Sequence, residues 1–423
     1  MRNKLSSVGA VVATLALAGG LTACAEESAG GSGGGGAGVG YGASVEEFKE
    51  AFADVSPIEI NTQTPAAKGS PVGQVYEDYF AYVEEYSDGK ISFNVSYANA
   101  IAGATEVDDA IRDGRLDLGN ILPVYEPDQY PANAALADTS FVGNQAPAVA
   151  PLEVHAAHNA AAWQTPQVAE ELAESGMQVL LPWYSGDSNG ILCPTPRASK
   201  DELSGVQVVA AGKVNALELQ ALGATPVSLD YTELFESLQR GAVDCSLNSM
   251  RVTQLSGLLP VASNFTIDEQ VGLAKTPGAL AINKALWDSL PLVAQQVLFD
   301  ATKVMLQTNI EGSTQFQVDG LAAAVEEGGS VNSFDQAARD ALAAAHEEAL
   351  EDVAANDKLD DGQALVDAVV SNSEKWTPLI EELGFPADVP FAEFAAWHAE
   401  NGYDLTEYAD KVFTEVMLTG RPS

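Results

Sequence analysis

Two histidines, His155 and His158, stand at a spacing that can support chemistry. On a helix this i, i+3 spacing would place both imidazoles on one side, where they could share a metal ion. No third ligand is evident in the sequence, so an ordinary surface helix is favoured over a metal site. The chain also shows no Ser-His-Asp arrangement, no phosphate-binding loop and no CxxC motif. Its 60 Asp and Glu residues make chance carboxylate pairs common, so we expect neither catalysis nor a cofactor.

The chain has three cysteines, and two of them, Cys193 and Cys245, lie in its middle. An even pair in an oxidising compartment favours a disulfide bond, although two buried free thiols are the alternative. Such a bond would close a loop of about fifty residues and stabilise the fold by about 4 kcal/mol in the chain-entropy treatment.

The third cysteine, Cys24, ends the segment "MRNKLSSVGAVVATLALAGGLTAC". Arg2 and Lys4 precede an apolar run that is too short to span a bilayer comfortably, which is the layout of a secretory signal. The closing "LTAC" resembles the lipobox of bacterial lipoproteins. That resemblance implies a signal peptide over residues 1–23 and acyl chains on Cys24 that hold the protein at the outer face of the cell membrane. An ordinary signal with a chance cysteine is the alternative.

Residues 24–55 are predicted to form a tether, because "AEESAGGSGGGGAGVGYGAS" is too rich in glycine to bury a core. About twenty such residues span roughly 25 Å root-mean-square. The remaining residues, with 46% hydrophobic composition over the whole chain, are enough for two globular domains. A net charge of −40 argues against binding to nucleic acid and against a polybasic membrane patch. An anionic ligand would then depend on local cations, because exposed charges are screened within about 10 Å.

Strands and helices alternate through the first half of this body. An alternating strand is predicted at residues 58–61 and a second at residues 91–97, with a helix at residues 72–83 between them that Asp88-Gly89 ends. A helix at residues 105–112 and the strand "LDLGNIL" follow. This alternation is typical of a parallel sheet with helices packed on it.

The second half repeats this pattern. Asp230 is expected to cap a helix at residues 231–240, with Glu233 completing a capping box. The segments "IRDGRLDL" and "LQRGAVDC" share one order of helix end, glycine, apolar residue and aspartate. Two similar lobes are therefore predicted, and one large doubly wound sheet is the alternative. The predicted strands of this half are residues 178–181, 206–210, 224–229 and 242–248. Its remaining predicted helix is residues 214–222.

The last third of the sequence is predicted to be helical. One long amphipathic helix over residues 282–325 would bridge both lobes, and residues 333–356 would form a further surface helix. We expect lobe 1 at residues 56–186 plus 273–313, lobe 2 at residues 187–272 plus 314–356, and a C-terminal helical extension at residues 357–423.

The segment "LGATPVSLDYTELFESLQRGAVDCSLNS" resembles the substrate-binding proteins of tripartite ATP-independent periplasmic (TRAP) transporters, the dicarboxylate-binding (DctP) family. "SDGKISFNVSY", "IRDGRLDL" and "INKALWDSLP" match features of that family in the same order. The resemblance covers roughly residues 58–356. It implies an α/β fold like that of periplasmic binding proteins, in which two Rossmann-like lobes close over a small ligand, with a long bridging helix and here extra C-terminal helices.

The resemblance also implies ligand-binding positions. Asn248 matches a ligand-bonding Asn of the family, Tyr231 matches an aromatic that packs on the ligand, and Asn189 falls near a second polar position. Trp183 and Tyr184 end a predicted strand, a common place for cleft residues in α/β sheets. The remaining candidates lie in the first cleft loop or after the fourth strand: Gln63, Thr64, Lys68, Pro123 and Tyr125.

One position departs from the family. The family has an Arg in the strand "GVQVVAAG" that pairs with the ligand carboxylate, and this sequence has Val209 there. A charge-assisted hydrogen bond of this kind contributes about 1.5–3 kcal/mol, and Val cannot supply it. Backbone N–H groups at the helix start near Val214 could hold an anion instead. The candidate replacement cations are Lys68, Arg197, Lys213 and Arg251.

The sequence therefore predicts a lipid-anchored, monomeric solute-binding protein on the extracellular or periplasmic face of the membrane. It would trap one small polar ligand between its lobes and hand it to the permease subunits of a TRAP transporter. Simple dicarboxylates are expected to bind weakly because of Val209. A receptor for an ABC-type importer or a sensor, and less so an extracellular hydrolase, are the alternatives.

Overall fold

The structure is a computed structural model that describes residues 36–423. The predicted signal peptide and Cys24 lie outside these residues. The described chain contains two β-sheets and seventeen α-helices. No helix between residues 36 and 423 is long and apolar enough to cross a membrane.

The first sheet has five strands in the order β2-β1-β3-β10-β4. Strands β1, β2 and β3 are parallel, and β10 runs antiparallel between β3 and β4. Ile58 pairs with Ile91, and the register continues without a break to Gln63 and Ser96. The strands are β1 (Ile58–Gln63), β2 (Ile91–Ser96), β3 (Leu118–Ile121), β4 (Met177–Tyr184) and β10 (Gly278–Asn283).

The second sheet has six strands in the order β11-β9-β5-β8-β6-β7. Its strands β6, β7 and β8 are parallel, and β5 runs antiparallel beside β8. The strands are β5 (Gly190–Cys193), β6 (Gln207–Val209), β7 (Thr225–Val227), β8 (Cys245–Asn248), β9 (Asn264–Thr266) and β11 (Val331–Asn332).

Both sheets therefore contain three parallel strands in the same order followed by one antiparallel strand. The segment "IRDGRLDL" leads from a helix into β3, and "LQRGAVDC" leads from a helix into β8. The similarity of the two segments thus reflects the same place in two related lobes. The predicted two-lobed α/β fold is confirmed, and the alternative of one large sheet is wrong.

The helices that flank the strands start and end close to the predicted positions. Asp88 and Gly89 both adopt positive φ angles, 52° and 70°, at the end of the second helix, as the Asp-Gly signal indicated. In the first part of the chain the helices are α1 (Val45–Phe52), α2 (Pro71–Tyr86), α3 (Val107–Arg112), α4 (Pro131–Asp138), α5 (Ala150–Gln164), α6 (Pro166–Glu174), α7 (Lys200–Leu203), α8 (Lys213–Ala221), α9 (Leu234–Gln239) and α10 (Met250–Leu255).

The predicted long bridging helix is divided into three helices. The first helix ends shortly before Pro291, because proline cannot continue the hydrogen-bond ladder. Ala301 separates the second helix from the third. The third, α13, packs on α2 of the first lobe and α10 of the second, so it does bridge them. The helices of this part are α11 (Lys284–Ser289), α12 (Leu292–Asp300), α13 (Thr302–Glu326), α14 (Gln336–Ala354), α15 (Gly362–Glu382), α16 (Phe391–Asn401) and α17 (Thr406–Glu415).

Helix α5 carries both histidines and lies in the protein interior, so the expectation of a surface helix is wrong. His155 and His158 are completely buried. Burial lowers the pKa of His155 to about 4 and that of His158 to about 3, so both imidazoles are neutral. His155 Nε2 accepts a hydrogen bond from the Ser185 N–H at 3.1 Å, and Asn159 bonds both backbone groups of Trp183. The polar residues of α5 thus fix the end of β4.

Asp230 caps the helical segment that begins at Tyr231, as predicted, but the predicted capping box with Glu233 is wrong. The Asp230 side chain accepts a hydrogen bond from the Thr232 N–H at 2.9 Å, and residues 231–233 form one turn of 3₁₀ helix before α9. Glu233 therefore lies at the junction of the two helical segments and makes no reciprocal bond to the cap.

Both ends of the described chain pack on the first lobe. Helix α1, within the range predicted to be a tether, buries Phe48 and Phe52 in the largest apolar cluster. The predicted C-terminal extension is helical, and its Trp376 and Tyr408 belong to the same cluster. Glu153 of α5 accepts hydrogen bonds from Ser373 and Thr377 of α15. The extension is therefore part of the core of this lobe.

The predicted disulfide joins Cys193 at the end of β5 to Cys245 at the start of β8. The two strands are antiparallel neighbours, with Leu192 opposite Ser246, so the cysteines face each other at the next register position. The bond closes a sequence separation of 52 residues within the second sheet.

Trp376 tests whether the C-terminal helices are needed for the fold. We expect Trp376→Ala to lower the free energy of unfolding by about 3–5 kcal/mol, because it leaves a cavity at a side chain with no solvent exposure. Urea unfolding followed by circular dichroism measures the change. Trp397→Ala, at a half-buried position of α16, is the control and should cost clearly less. Equal, small losses for both variants would show that the extension is peripheral.

Candidate functional site

A cleft between the two lobes is the principal cavity in the described part of the chain. It encloses about 1170 Å³ of space between atoms, counting its open mouth. Residues from β1, β3 and β4 line one wall, and residues from β6 and β8 line the other. At the mouth, the Asn99 amide donates a hydrogen bond to the Tyr231 hydroxyl at 3.2 Å, which joins the first lobe to the second. The two lobes are therefore in direct contact across the cleft.

The segment of residues 267–277 crosses from β9 in the second lobe to β10 in the first and contributes Lys275 and Thr276 to the floor of the cleft. Its Ala274 N–H donates to Glu218 at 2.8 Å, and the Ala274 carbonyl accepts from Asn189 at 2.6 Å. One residue later, the Lys275 N–H donates to Ser140 Oγ of the first lobe at 2.7 Å. The crossing is thus held by both lobes at consecutive residues.

Glu218 of α8 is fully buried and organises this region. Besides Ala274, it accepts hydrogen bonds from the Asn215 amide and from His346 Nε2 of α14, both at 2.9 Å. The His346 ring stacks on Phe141 with 3.9 Å between centroids. These contacts satisfy the Glu218 carboxylate.

Lys275 is the most unusual group in the cleft. It is 4% exposed, and its Nζ has no hydrogen-bond partner among residues 36–423. Burial lowers its pKa to about 8, while the charges of Asp187 and Glu218 act in the opposite direction. The side chain is therefore still mostly an ammonium ion at pH 7, held in the cleft wall without a hydrogen-bonded counter-ion.

A second buried cation, Arg251, lies at the start of α10. Its guanidinium donates to Asn309 of the bridging helix α13, and Asn309 in turn donates to the Ser185 carbonyl at 2.8 Å. Asp187 accepts the backbone N–H groups of Met250 at 2.9 Å and Arg251 at 3.1 Å. Burial raises the pKa of Asp187 to about 6, so it remains largely ionised at pH 7.

The charged side chains that line the cleft are thus Lys275, Arg251 and Asp187, two positive and one negative. Their sum is one net positive charge in a protein whose overall charge is −40. A single anionic group on a ligand would balance the charge of these three lining side chains.

Tyrosines and aliphatic side chains form most of the remaining surface. The hydroxyls of Tyr76 and Tyr184 lie 3.2 Å apart, and burial raises the pKa of Tyr231 to about 12, so its phenol stays neutral. Rings and apolar side chains at these positions can pack on a flat or hydrophobic ligand body. The other apolar lining residues include Val72, Leu122, Tyr125, Val209, Leu229, Leu234, Leu247, Val252 and Leu255.

The structure brings seven of the eleven predicted ligand-binding residues to the cleft and places four elsewhere. Thr64 is buried and donates to the Ala66 carbonyl at 2.8 Å, and Lys68 is exposed above the Tyr97 ring. Pro123 and Trp183 line a small separate cavity behind the wall. The seven residues at the cleft are Gln63, Tyr125, Tyr184, Asn189, Val209, Tyr231 and Asn248.

Several of these seven have partners within the protein. Asn189 donates to Ala274 as described, and Gln63 holds the backbone of Ile101 and Ala102 through its carbonyl oxygen, at 3.0 Å to each. The Asn248 amide donates to Ser246 Oγ at 2.8 Å and accepts from Thr253 at 2.7 Å. The side-chain NH₂ of Asn248 has one further proton, and the two bonds to Ser246 and Thr253 fix the orientation of this amide group.

Among the four candidate replacement cations, Arg251 alone lines the cleft. Lys213 pairs with Asp352 at 2.7 Å on an exposed surface, and Arg197 bonds the backbone of Glu202. Val209 itself is 4% exposed, in register between Val227 and Ser246 on the cleft wall. Position 209 thus supplies no cation to the cleft, but Lys275 of the crossing segment and Arg251 of α10 do.

Sequence reasoning missed Lys275, Asp187 and Asn120, all of which line the cleft. Lys275 does carry a signal, because it is a lone lysine in "VGLAKTPGALAIN", three residues before a mostly apolar strand. A lysine in such a run is rarely buried without a function or a partner. Asp187 and Asn120 carry no comparable signal, since many Asp and Asn residues lie beside strands in this chain.

The described residues also contain no group of three or more His, Cys, Asp or Glu side chains placed to hold a metal ion.

Comparison with known proteins identifies the relatives of this chain. The family described as bacterial extracellular solute-binding protein, family 7 (DctP), matches residues 62–357. A solute-binding protein of Albidiferax ferrireducens is 24% identical over 302 residues, which are 69% of this chain and 84% of the relative.

Two solved structures share the fold. A TRAP solute-binding protein from Rhodoferax ferrireducens, in complex with copurified benzoate, gives a TM-score of 0.66 at 16% identity. A marine metagenome TRAP solute-binding protein specific for aromatic acid ligands, in complex with 3-hydroxybenzoate, gives 0.63 at 20% identity. Each comparison covers 76% of this chain and 99% of the other.

The stability of the ligand-free protein tests the state of Lys275. At pH 7, Lys275→Met should raise the free energy of unfolding by at most about 3 kcal/mol, the equivalent of lowering the lysine pKa from 10.5 to about 8. The difference between variant and wild type should shrink between pH 8 and 10.5. In that range the folded wild type has lost a proton that its unfolded state still binds, so its stability rises with pH.

Urea unfolding at several pH values measures this difference. Lys68→Met, at an exposed lysine, is the control and should change stability by no more than about 0.5 kcal/mol at any pH. A Lys275→Met variant that is less stable than wild type at pH 7 would mean that the ammonium ion has a stabilising partner.

Proposed function

This chain belongs to the family of bacterial extracellular solute-binding proteins, family 7, and we propose that it delivers a small organic acid to a TRAP transporter. In this proposal the protein captures the acid outside the cell as a monomer and passes it to the membrane permease. It acts by binding alone, in keeping with its family, whose members are receptors and not enzymes.

The observation that carries the proposal is the cleft between the lobes, whose charged lining side chains sum to one positive charge. Its size suits one small molecule, and its lining combines apolar rings with a few directed polar groups, as ligand sites generally do. A buried ammonium ion and a buried guanidinium at the base of the cleft favour an anion. A carboxylate is the common anionic group of small metabolites that both cations can bond.

Release and capture require the cleft to open, and the contacts between lobes indicate how. The Asn99–Tyr231 hydrogen bond spans the mouth, and Gly212 of the second lobe lies so close to Val124 of the first that an added Cβ would be 2.9 Å from its methyl group. Such contacts can separate when the lobes rotate about the crossing segments, a hinge motion that leaves each sheet intact.

The ligand that this site fits best carries one carboxylate. A second carboxylate in the same small cleft would be repelled by the ionised Asp187. The complex of ligand and cleft would then carry an excess negative charge. The related proteins that bind benzoate and 3-hydroxybenzoate accept monocarboxylates with a flat ring. The tyrosines of this cleft are suited to the same kind of ligand.

The proposal includes attachment to the membrane through acyl chains on Cys24. This rests on the lipobox-like "LTAC" and the glycine-rich residues after it. A diacylated cysteine would hold the protein firmly, since each buried methylene contributes about 0.8 kcal/mol. The protein would then stand on the extracellular face, within reach of its permease.

A thermal-shift screen tests the ligand class. The full chain is heated with benzoate, 3-hydroxybenzoate, pyroglutamate, galactonate, succinate and malate, each over a range of concentrations. We expect at least one monocarboxylate to raise the melting temperature strongly, because a ligand at 100 times its Kd adds about 2.7 kcal/mol of stability. Succinate and malate should give little or no shift. A larger shift with succinate than with any monocarboxylate would contradict the proposed charge balance.

Cys24→Ser tests the anchor. In a bacterial host that processes lipoproteins, the wild type should incorporate labelled palmitate and sediment with membranes. The variant should lose both properties, because serine cannot accept the thioether-linked lipid. Cys193→Ser, at a cysteine already in a disulfide, is the matched control and should still carry the label. Palmitate on Cys24→Ser, or no label on the wild type, would count against lipidation at this residue.

A further inference from the structure

We propose that Lys275 anchors the carboxylate of the ligand and that Asn120 accepts a hydrogen bond from a hydroxyl or N–H group of the same molecule. The cleft would then select monocarboxylates that carry one such donor. This inference rests on the proposed function and names the residues and the ligand class of that site.

The first support is the pair of polar atoms that the protein leaves without a partner. Among residues 36–423, the unpartnered buried side-chain atoms that belong to cleft-lining residues are Lys275 Nζ and Asn120 Oδ1. One is a cationic donor, and the other is a neutral acceptor. A molecule that satisfies both must present an anionic acceptor and a donor. Buried polar groups are almost always bonded, so such a pair in the lining of a cleft favours binding of a ligand that supplies both partners.

The second support is that the nearby carboxylates are already occupied. Asp187 uses its two oxygens for the N–H groups of Met250 and Arg251, and Glu218 uses its two for Ala274, Asn215 and His346. No ion pair within 4.0 Å joins Lys275 to an acidic side chain in the described part of the chain. The ammonium ion therefore makes no hydrogen bond or ion pair with either carboxylate, although the charges of both act on it.

The third support is that the backbone around Lys275 is fixed. Ser140 of the first lobe receives its N–H, and the preceding residue is bonded to Glu218 and Asn189 of the second. Lysine could lower its desolvation cost by moving into water, but this clamp keeps its Cα at the floor of the cleft. A buried ion held in this way costs stability, which is the usual signature of a group retained for binding.

The position of Asn120 completes the geometry. Asn120 lies on β3 opposite Leu280 of β10, the strand that begins three residues after Lys275. Its Oδ1 lies so close to Gly278 that an added Cβ there would be 2.2 Å away. Glycine at residue 278 thus leaves room for the Asn120 amide oxygen. Asn120 and Lys275 both line the cleft, one on the wall that β3 forms and one on the crossing segment, so in this proposal one ligand contacts both.

Arg251 has a different part in this arrangement. Its guanidinium is bonded to Asn309, and its backbone N–H is bonded to Asp187. It contributes positive charge to the cleft but already has partners, whereas Lys275 has none. The cation that replaces the arginine expected at Val209 is therefore Lys275, on the crossing segment, and not a side chain of the same strand.

A matched set of ligands and variants tests this assignment by isothermal titration calorimetry at pH 7. The probe is 3-hydroxybenzoate or pyroglutamate, whichever binds the wild-type full chain more tightly. The carboxamide of the chosen probe is a comparison ligand that lacks the negative charge. A second comparison ligand lacks the hydroxyl or N–H donor: benzoate for 3-hydroxybenzoate, or 3-oxocyclopentanecarboxylate for pyroglutamate. The variants are Lys275→Met, Asn120→Leu and the control Lys68→Met, which removes a lysine that lies outside the cleft.

We expect the wild type to bind the acid about 10- to 100-fold more tightly than its carboxamide, the range of one charge-assisted hydrogen bond. Lys275→Met should bring this ratio close to one, and Lys68→Met should leave it unchanged. Asn120→Leu should reduce the preference for the donor-bearing acid by about 10-fold without changing the ratio of acid to carboxamide.

Several outcomes would overturn the inference. One is a Lys275→Met variant that keeps the wild-type preference for the acid, and another is a wild type that binds the carboxamide as tightly as the acid. In both cases solute binding would stand while the role of Lys275 would fall. Failure of the wild type to bind any compound of the set would count against the proposed function and the inference together.

Folding of the variants is checked separately by circular dichroism and thermal unfolding. Lys275→Met should unfold at the same temperature as the wild type or higher, so its loss of affinity cannot be a loss of structure. If Lys275→Met does not fold, Lys275→Gln removes the charge while keeping a polar end, and the same expected ratio applies to it.

Discussion

A single buried carboxylate, Glu218, holds the connection on which the site depends. It binds the backbone of Ala274, the Asn215 amide and His346, and so ties the crossing segment to α8 and α14 of the second lobe. Ser140 of the first lobe binds the very next residue. Because a buried carboxylate must have its hydrogen bonds satisfied, these partners are mutually required. The crossing segment is thereby hydrogen-bonded to both lobes at consecutive residues.

The rest of the architecture supports this floor. Helix α5 is rich in alanine and buried, so it can pack closely against β4, and its few polar side chains bond the strand end that forms part of the cleft. The C-terminal helices cover α5 and contribute Trp376 and Tyr408 to the main apolar cluster. The disulfide between the neighbouring strands β5 and β8 stabilises the second sheet, which forms the other wall of the cleft.

The charge of the protein and the charge of its site have opposite signs. A chain with a net charge of −40 repels an anion at long range, yet three side chains at the base of the cleft sum to one positive charge. Screening over about 10 Å in salt removes most of the long-range field, while groups in a buried cleft are screened far less. Local burial, and not overall composition, therefore decides which ligand the cleft accepts.

Much of this architecture follows from local sequence patterns. Alternating strands, helical periodicity and the Asp-Gly stop at Asp88 depend on neighbouring residues, so the lobes, their repeated signature and the family could be recognised, as could the pairing of Cys193 with Cys245. The same patterns misplaced α5 at the surface, because an alanine-rich helix with no clear apolar face looks alike whether neighbours cover one side or all sides. Seven predicted ligand positions reached the cleft, whereas Thr64, Lys68, Pro123 and Trp183 did not, since one residue of offset along a strand or loop turns a side chain away. Lys275 became part of the site only through tertiary structure, because the crossing segment carries it between the lobes. The nearby carboxylates, Asp187 and Glu218, are far away in the chain and are bonded to other groups, so they leave its ammonium ion unpaired.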